Sequence, residues 1–128
     1  MNTLIIDAAD KEIFLMIIKN KNIYSISHSN SKTNYEKLSI LIHNFLKSKK
    51  LNIEDISKIY VNRGPGSFAG IRNSLATVKA IYTTKKIDYY CYSFDDFIKE
   101  NDHNYENIPY LCDKLNIKKN LINPIYLS

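Results

Sequence analysis

Glycine and arginine are concentrated in one short stretch of this 128-residue chain, and that stretch constrains the fold more than any other feature. The chain has only three glycines and two arginines, and all of them lie between Arg63 and Arg72, in the run RGPGSFAGIR. Glycine gives the backbone unusual conformational freedom, and arginine offers a planar fork of donors that lysine lacks. The stretch therefore predicts a tight turn with a specific task.

Three apolar or alternating runs joined by polar turns come before the first helix signal. These runs are Thr3–Asp7, Ile13–Lys19 and Ile23–Ser27. They predict an antiparallel three-stranded meander. Thr33 and Glu36 then have the spacing of a capping box, and apolar residues recur behind them with a helical period. This pattern predicts a first helix over Asn34–Lys49.

The glycine-rich stretch lies between a predicted strand, Ser57–Asn62, and a predicted second helix, Phe68–Thr84. The other elements expected in the second half are a helical turn at Asn52–Ser57, a strand at Ile87–Tyr92, a third helix at Ser93–Asn101 that opens with an S-x-x-D cap, and a weakly indicated strand at Ile108–Cys112. The order βββαβαβα predicts an α/β protein with a mixed five-stranded sheet and helices packed on it.

Composition narrows the class of protein. All but two of the 18 basic residues are lysines, and the net charge is +5. Scattered lysines are more typical of a solvated surface than of a nucleic-acid footprint. Cys91 and Cys112 have no partner at metal-ligand spacing, so we expect two reduced structural thiols and no metal or cofactor. The longest apolar run, Ile13–Ile18, is too short to span a membrane, and we expect a soluble cytoplasmic protein.

The glycine spacing leaves two interpretations open. Gly64, Gly66 and Gly70 lie at a strand-to-helix junction, where α/β proteins place phosphate-binding loops. A phosphate loop would end in Gly-Lys-Ser/Thr, whereas Gly70 is followed by Ile71. The alternative is a structural turn that Pro65 stiffens and in which Gly70 lets the helix pack closely. The second interpretation is favoured on chemistry alone.

The stretch RGPGSFAGIR resembles the R-G-P-G-S-F-T-G-[IVL]-R signature of the TsaB (YeaZ) family, with Ala69 in place of the usual threonine. The runs LIID at Leu4–Asp7 and LNIEDI at Leu51–Ile56 are similar to the family's first strand and to its turn before the signature strand. The final run NPIYLS resembles a P-[VI]-Y-L-R run near the family's C-terminus.

The resemblance implies an ASKHA (ribonuclease H-like, actin-like) lobe over residues 1–101, with 102–128 as a short extension replacing most of the family's second lobe. It implies a noncatalytic scaffold for TsaD, which transfers a threonylcarbamoyl group to an adenosine beside the tRNA anticodon. TsaE is a further implied partner, a homodimer is implied when the chain is alone, and contact with tRNA would be indirect. Ala8 and Ala9 replace the hydroxyls with which ASKHA kinases approach phosphates, which argues against independent catalysis.

Two rival functions remain open at this point. One is a small nucleotide-binding or nucleotide-hydrolysing protein that uses Gly64–Gly70. The other is an RNA-binding module, suggested only by net charge and by the tyrosines Tyr89, Tyr90 and Tyr92 on the fifth predicted strand. Alternation along a strand favours a division of these tyrosines between core and surface.

Two sets of residues are the candidate site. The signature turn comprises Arg63, Gly64, Pro65, Gly66, Ser67, Phe68, Gly70 and Arg72. A partner interface is expected from Leu38, Leu41, Ile42 and Phe45 on the first helix, whose apolar arc exceeds one sheet contact, and from Asn73, Ala76, Thr77 and Ala80 on the second. The two arginines could bind a partner carboxylate or a phosphate, or form an internal ion pair with Asp7 or Asp88.

Overall fold

The computed structural model describes residues 1–100 and 104–126. Its strands are β1 (Asn2–Asp7), β2 (Glu12–Lys19), β3 (Asn22–Ser29), β4 (Ile56–Asn62) and β5 (Asp88–Tyr92). Its α-helices are α1 (Lys32–Tyr35), α2 (Leu38–Ser48), α3 (Phe68–Lys85) and α4 (Ile108–Lys114). Short 3₁₀ turns occupy Ile53–Asp55, Phe94–Phe97 and Tyr105–Asn107. The end of the predicted third helix, the expected boundary at 101/102 and the last two residues of the NPIYLS run lie outside the described residues.

The five strands form one mixed sheet in the order β3-β2-β1-β4-β5. The first three pair antiparallel through short turns, and β4 and β5 continue the sheet parallel to β1. The parallel pairings need crossovers, and helices supply them. The predicted mixed five-stranded α/β sheet is confirmed.

Alternation along the strands gives the sheet two buried faces. Leu4 and Ile6 of β1 point into the core beneath α1, α2 and α3, whereas Ile5 between them points into a second core beneath α4 and the Phe94–Phe97 turn. The same division separates Tyr89, which is buried in the first core, from Tyr92, which is fully buried in the second. No helix among the described residues is long and apolar enough to cross a membrane.

The predicted first helix is wrong as a single element. It is divided into α1 and α2, and α1 begins after Ser31 rather than at the predicted capping box. The Asn34 side chain donates a hydrogen bond to the Ser29 carbonyl, 2.8 Å away, which fixes α1 against the end of β3. A new helix starting at Leu38 then turns its apolar residues towards the sheet.

Two predictions in the second half also need correction. The third helix is a single 3₁₀ turn, although its capping box between Ser93 and Asp96 is confirmed. The segment Ile108–Cys112 belongs to helix α4 rather than to a strand. Its buried residues, Ile108, Leu111 and Cys112, have the three- and four-residue spacing of a helix, but so short an apolar run does not distinguish helix from strand by period.

Candidate functional site at the glycine turn

The glycines of the turn allow the backbone of the chain to approach itself closely. A Cβ atom at Gly66 would overlap the carbonyl oxygen of Ala9, and one at Gly70 would overlap the carbonyl oxygen of Ala8. The amide of Ser67 also donates to the Ala9 carbonyl at 2.8 Å. The turn and the N-terminal end of α3 are therefore packed directly on the loop that follows β1.

Gly64 meets a third segment of backbone. Its φ angle of +109° lies in the region that favours glycine, and a Cβ there would overlap the carbonyl oxygen of Ile125. The Ile125 amide donates to the Arg63 carbonyl at 2.7 Å, and Gly66 forms an isolated bridge with Tyr126. The turn thus holds the loop after β1 on one side and the segment 123–126 on the other.

This packing bears on the phosphate interpretation. A phosphate-binding glycine loop offers free amides to an anion. Here the space beside Gly66 and Gly70 is filled by carbonyl oxygens, which are negatively polarised, and Ser67 Oγ accepts from the Gly70 amide at 3.2 Å as the N-cap of α3. The geometry supports the structural-turn interpretation.

Arg63 binds within the chain. Its Nη2 atom lies 2.8 Å from Asp96 Oδ1, and its Nη1 donates to the Asn123 carbonyl at 3.1 Å. The expected internal partners, Asp7 and Asp88, are wrong, because the fold places Asp96 beside the guanidinium instead. Arg63 Nε is buried and has no hydrogen-bond partner among the described residues. Arg72, in contrast, is exposed on α3.

Asp7 is a buried carboxylate at the end of β1, next to the turn. Its oxygens accept hydrogen bonds from the Ala9 amide, the Asn62 side chain and the Tyr105 hydroxyl, the last at 2.6 Å. Asn62 in turn accepts from the Gly64 amide at 2.8 Å. Burial and the neighbouring Asp7 raise the pKa of Tyr105, so this hydroxyl remains a donor.

Tyr105 and Asn62 were not identified from the sequence. Tyr105 lies after the last clear secondary-structure signal, and its contact with Asp7 joins distant parts of the chain. A cavity of about 590 Å³ adjoins this network and is bordered by Pro65, Gly66 and Ser67 of the turn. Pro65 and Phe68 are exposed, and the Phe68 ring lies 4.7 Å from that of Tyr126.

Three of the expected interface residues on α2 are core residues. Leu38, Ile42 and Phe45 are 2%, 3% and 5% exposed and pack on the sheet. These three side chains are already buried within the chain, so no partner protein is needed to cover them. This corrects the argument that a single contact with the sheet would leave part of their apolar surface exposed. Leu41 is half-buried, and Ile40, which was outside the expected set, is 55% exposed.

The small residues expected on α3 are accessible. Ala76 and Ala80 are exposed, and Asn73 and Thr77 are half-buried. The polar side chains of Asn73 and Thr77 bond back to carbonyls of their own helix, at Ala69 and Asn73, so they project little from the helix surface. The apolar side of α3, with Ile71, Leu75 and Val78, is buried against the sheet. We call Asn73, Ala76, Thr77 and Ala80 the α3 stripe.

The fold class follows from the sheet, its helices and solved structures of similar architecture. YeaZ from Pseudomonas aeruginosa matches with a TM-score of 0.66 at 16% identity, over 72% of this chain and 43% of that one. A Thermus thermophilus RuvC structure in complex with Holliday junction substrate matches with a TM-score of 0.54 at 11% identity, over 92% of this chain and 80% of that one. The protein has an α/β fold of the ASKHA, ribonuclease H-like type.

Sequence comparison gives the family. The family model "TsaD: tRNA N6-adenosine threonylcarbamoyltransferase" matches residues 24–93, more than half of the chain. The chain therefore belongs to this family, within which it is TsaB (YeaZ)-like.

Curated relatives carry the TsaB name. The tRNA threonylcarbamoyladenosine biosynthesis protein TsaB of Buchnera aphidicola subsp. Schizaphis graminum is 30% identical over 84 residues, 66% of this chain and 40% of that protein. Its counterpart from Buchnera aphidicola subsp. Baizongia pistaciae is 35% identical over 66 residues, 44% of this chain and 30% of that protein. The matched region thus spans less than half the length of these relatives.

Proposed function

We propose that this chain takes part in tRNA threonylcarbamoyladenosine biosynthesis as a noncatalytic partner of TsaD. The family membership and the TsaB relatives support the pathway. The glycine turn supports a noncatalytic role, because its glycines pack against Ala8 and Ala9 rather than around an open anion site.

The observation that carries the proposed pairing is the α3 stripe. Ala76 and Ala80 leave a shallow surface, flanked by the exposed Arg72 and Lys79, on an 18-residue helix whose other side is fixed to the sheet. Small residues allow a second helix to approach closely. On α2, Ile40 is 55% exposed and Leu41 is half-buried, so this helix also carries accessible apolar surface. We infer that TsaD binds at the α3 stripe. When TsaD is absent, a second copy of the chain uses the same face. TsaE joins the cytoplasmic assembly as a further partner.

Single substitutions in the stripe test this assignment. Ala76→Glu and Ala80→Glu each place a long charged side chain where a helix must approach, and an unpaired charge in an interface costs several kcal/mol. We expect each to weaken binding to TsaD by at least about 100-fold, the equivalent of about 2.7 kcal/mol. Titration of labelled TsaD with each variant measures this change, and circular dichroism checks that the variants stay folded.

Matched variants separate the interface from general effects. Ala80→Ser keeps the side chain small and neutral, and Lys21→Gln in the exposed turn between β2 and β3 changes the net charge by the same one unit as Ala→Glu. Both should bind TsaD like the unchanged protein. Unaltered binding by folded Ala76→Glu and Ala80→Glu would show that TsaD does not use this face.

A further inference from the structure

A second cavity lies on the sheet face away from α2 and α3, and the proposed function leaves it unused. Its volume is about 580 Å³, and residues of β1, β4, β5 and α4 line it. That volume is within the range of small-molecule sites. The charged and aromatic side chains around it are Lys58, Tyr60, Tyr90, Tyr110, Asp113 and Lys119.

Tyrosine rings give the cavity a flat aromatic wall. Tyr60 and Tyr90 are direct neighbours on β4 and β5. Their rings are stacked, with centroids 5.0 Å apart and planes 16° apart. Tyr90 is half-buried and Tyr110 of α4 is 61% exposed, so both have ring surface left for a planar ligand. Of the three tyrosines that are prominent in the sequence of β5, Tyr90 is the one that lines this cavity.

The charges around the cavity favour an anion. Lys58 Nζ lies 5.8 Å from the centroid of the Tyr90 ring and forms no ion pair with the described residues. Lys119 Nζ lies 3.5 Å from Asp88 Oδ2, and the Asn120 side chain also binds that carboxylate. Lys119 is therefore already paired with Asp88, and Lys58 is the lysine at the cavity that is left to meet an anion, with the Asp113 carboxylate also in the lining.

The Tyr60 hydroxyl is a donor without a partner. Tyr60 is only 4% exposed, and its hydroxyl makes no hydrogen bond with the described residues. Burial raises its pKa, and the acidic neighbours Cys112, Tyr90 and Asp113 add to the shift, so the hydroxyl keeps its proton at neutral pH. Unlike the Tyr92 hydroxyl, which is buried without a partner, the Tyr60 hydroxyl is accessible from the cavity and can donate to a ligand oxygen there.

We propose that this cavity binds a free mononucleotide. The base stacks on the ring of Tyr90 and is covered by Tyr110. The phosphate lies near Lys58, and the Tyr60 hydroxyl donates a hydrogen bond to the ligand. The site is on the opposite sheet face from the α3 stripe, so it does not depend on the pairing with TsaD.

Titration of the ¹⁵N-labelled full chain with millimolar AMP tests the proposal. We expect amide shifts at Lys58–Tyr60, at Tyr90 and along α4, and none at Gly64–Gly70. Lys58→Gln and Tyr110→Ala should each raise the Kd about tenfold, since a base–aromatic contact or a phosphate contact is lost. Lys21→Gln, which removes a distant exposed lysine, should leave the Kd unchanged.

Ligand variants separate the two halves of the site. Adenosine and inorganic phosphate should each bind at least about tenfold more weakly than AMP, because each lacks one set of contacts. The proposal is overturned by an absence of shifts, by shifts centred on the glycine turn, or by an unchanged Kd in folded Lys58→Gln and Tyr110→Ala. A short oligoribonucleotide that binds far more tightly than AMP would also overturn it, in favour of an RNA-binding face.

Discussion

Gly66 and Gly70 are required because the backbone of another loop occupies the space that a side chain would need. The carbonyl oxygens of Ala9 and Ala8 fill that space, and a backbone atom does not move aside as the end of a flexible side chain does. At the scale of single residues, the signature turn is thus a close contact between two loops.

Gly66→Ala should therefore destabilise the fold. We expect the free energy of unfolding to fall by about 3 kcal/mol, the upper range for overpacking a filled site. Denaturation with urea measures the change. Ala80→Ser adds one atom at an exposed site on α3 and should cost less than about 0.5 kcal/mol. If Gly66→Ala were as stable as this control, the close contact would not be a requirement of the fold.

The two cysteines should be unreactive while the chain is folded. Cys91 and Cys112 are buried free thiols, and burial raises the pKa of each to about 12 from an ordinary value of 9. The folded thiols therefore stay protonated at pH values where unfolded thiols ionise, so their contribution to stability is present below pH 9 and is lost as the pH rises towards 12.

Labelling with Ellman's reagent at mildly alkaline pH measures this protection. We expect the thiols of the native chain to react only as fast as the fold opens to expose them. After denaturation they should react immediately. A Ser57→Cys variant, at an exposed position, should add one thiol that reacts at once. Rapid labelling of two thiols in the unchanged native protein would contradict the buried positions of Cys91 and Cys112.

At the scale of elements, one ion pair joins the turn to the segment after β5. Arg63 and Asp96 have side chains only 16% and 22% exposed, and Asp96 also accepts from the Ser93 amide that it caps. Removal of either partner leaves a mostly buried charge unpaired. We expect Arg63→Ala and Asp96→Ala each to lower the free energy of unfolding by about 2 kcal/mol.

A double-mutant cycle separates the pair from its surroundings. The double variant should be less destabilised than the sum of the two single variants by about 1 kcal/mol or more. The exposed pair of Lys85 and Glu54, 3.9 Å apart, is the matched comparison, with an expected coupling close to zero. Additive effects at Arg63 and Asp96 would mean that the ion pair does not hold the turn.

Local patterns in the sequence predict the strands and α3 because each element is long enough to show its period. The break between α1 and α2 is not visible in this way, since it is a local departure of the Lys37 backbone from helical angles (φ −110°, ψ 25°), which the apolar period does not record. The same limit applies to the site. The glycine spacing indicates a tight turn, but neither the partners Ala8 and Ala9 nor the choice of Asp96 over Asp7 and Asp88 can be read before the fold brings them together.

At the scale of the whole molecule, the segment 117–126 forms hydrogen bonds both with β5, at the edge of the sheet, and with the glycine turn. Asn120 exchanges two hydrogen bonds with Tyr89 of β5, and Ile125 bonds to Arg63. With both sheet faces covered, the outer surface of α2 and α3 can be presented to a partner as a rigid face. We therefore expect the free chain to remain folded when the pairing is broken.

The most direct test of the proposed role is the mass of the species formed with the cognate TsaD, measured by size-exclusion chromatography with light scattering. We predict a single complex with one copy of each chain, and its loss with Ala76→Glu. Separate elution of TsaD and of this chain at its own mass of 14.9 kDa, with both proteins folded, would contradict the account.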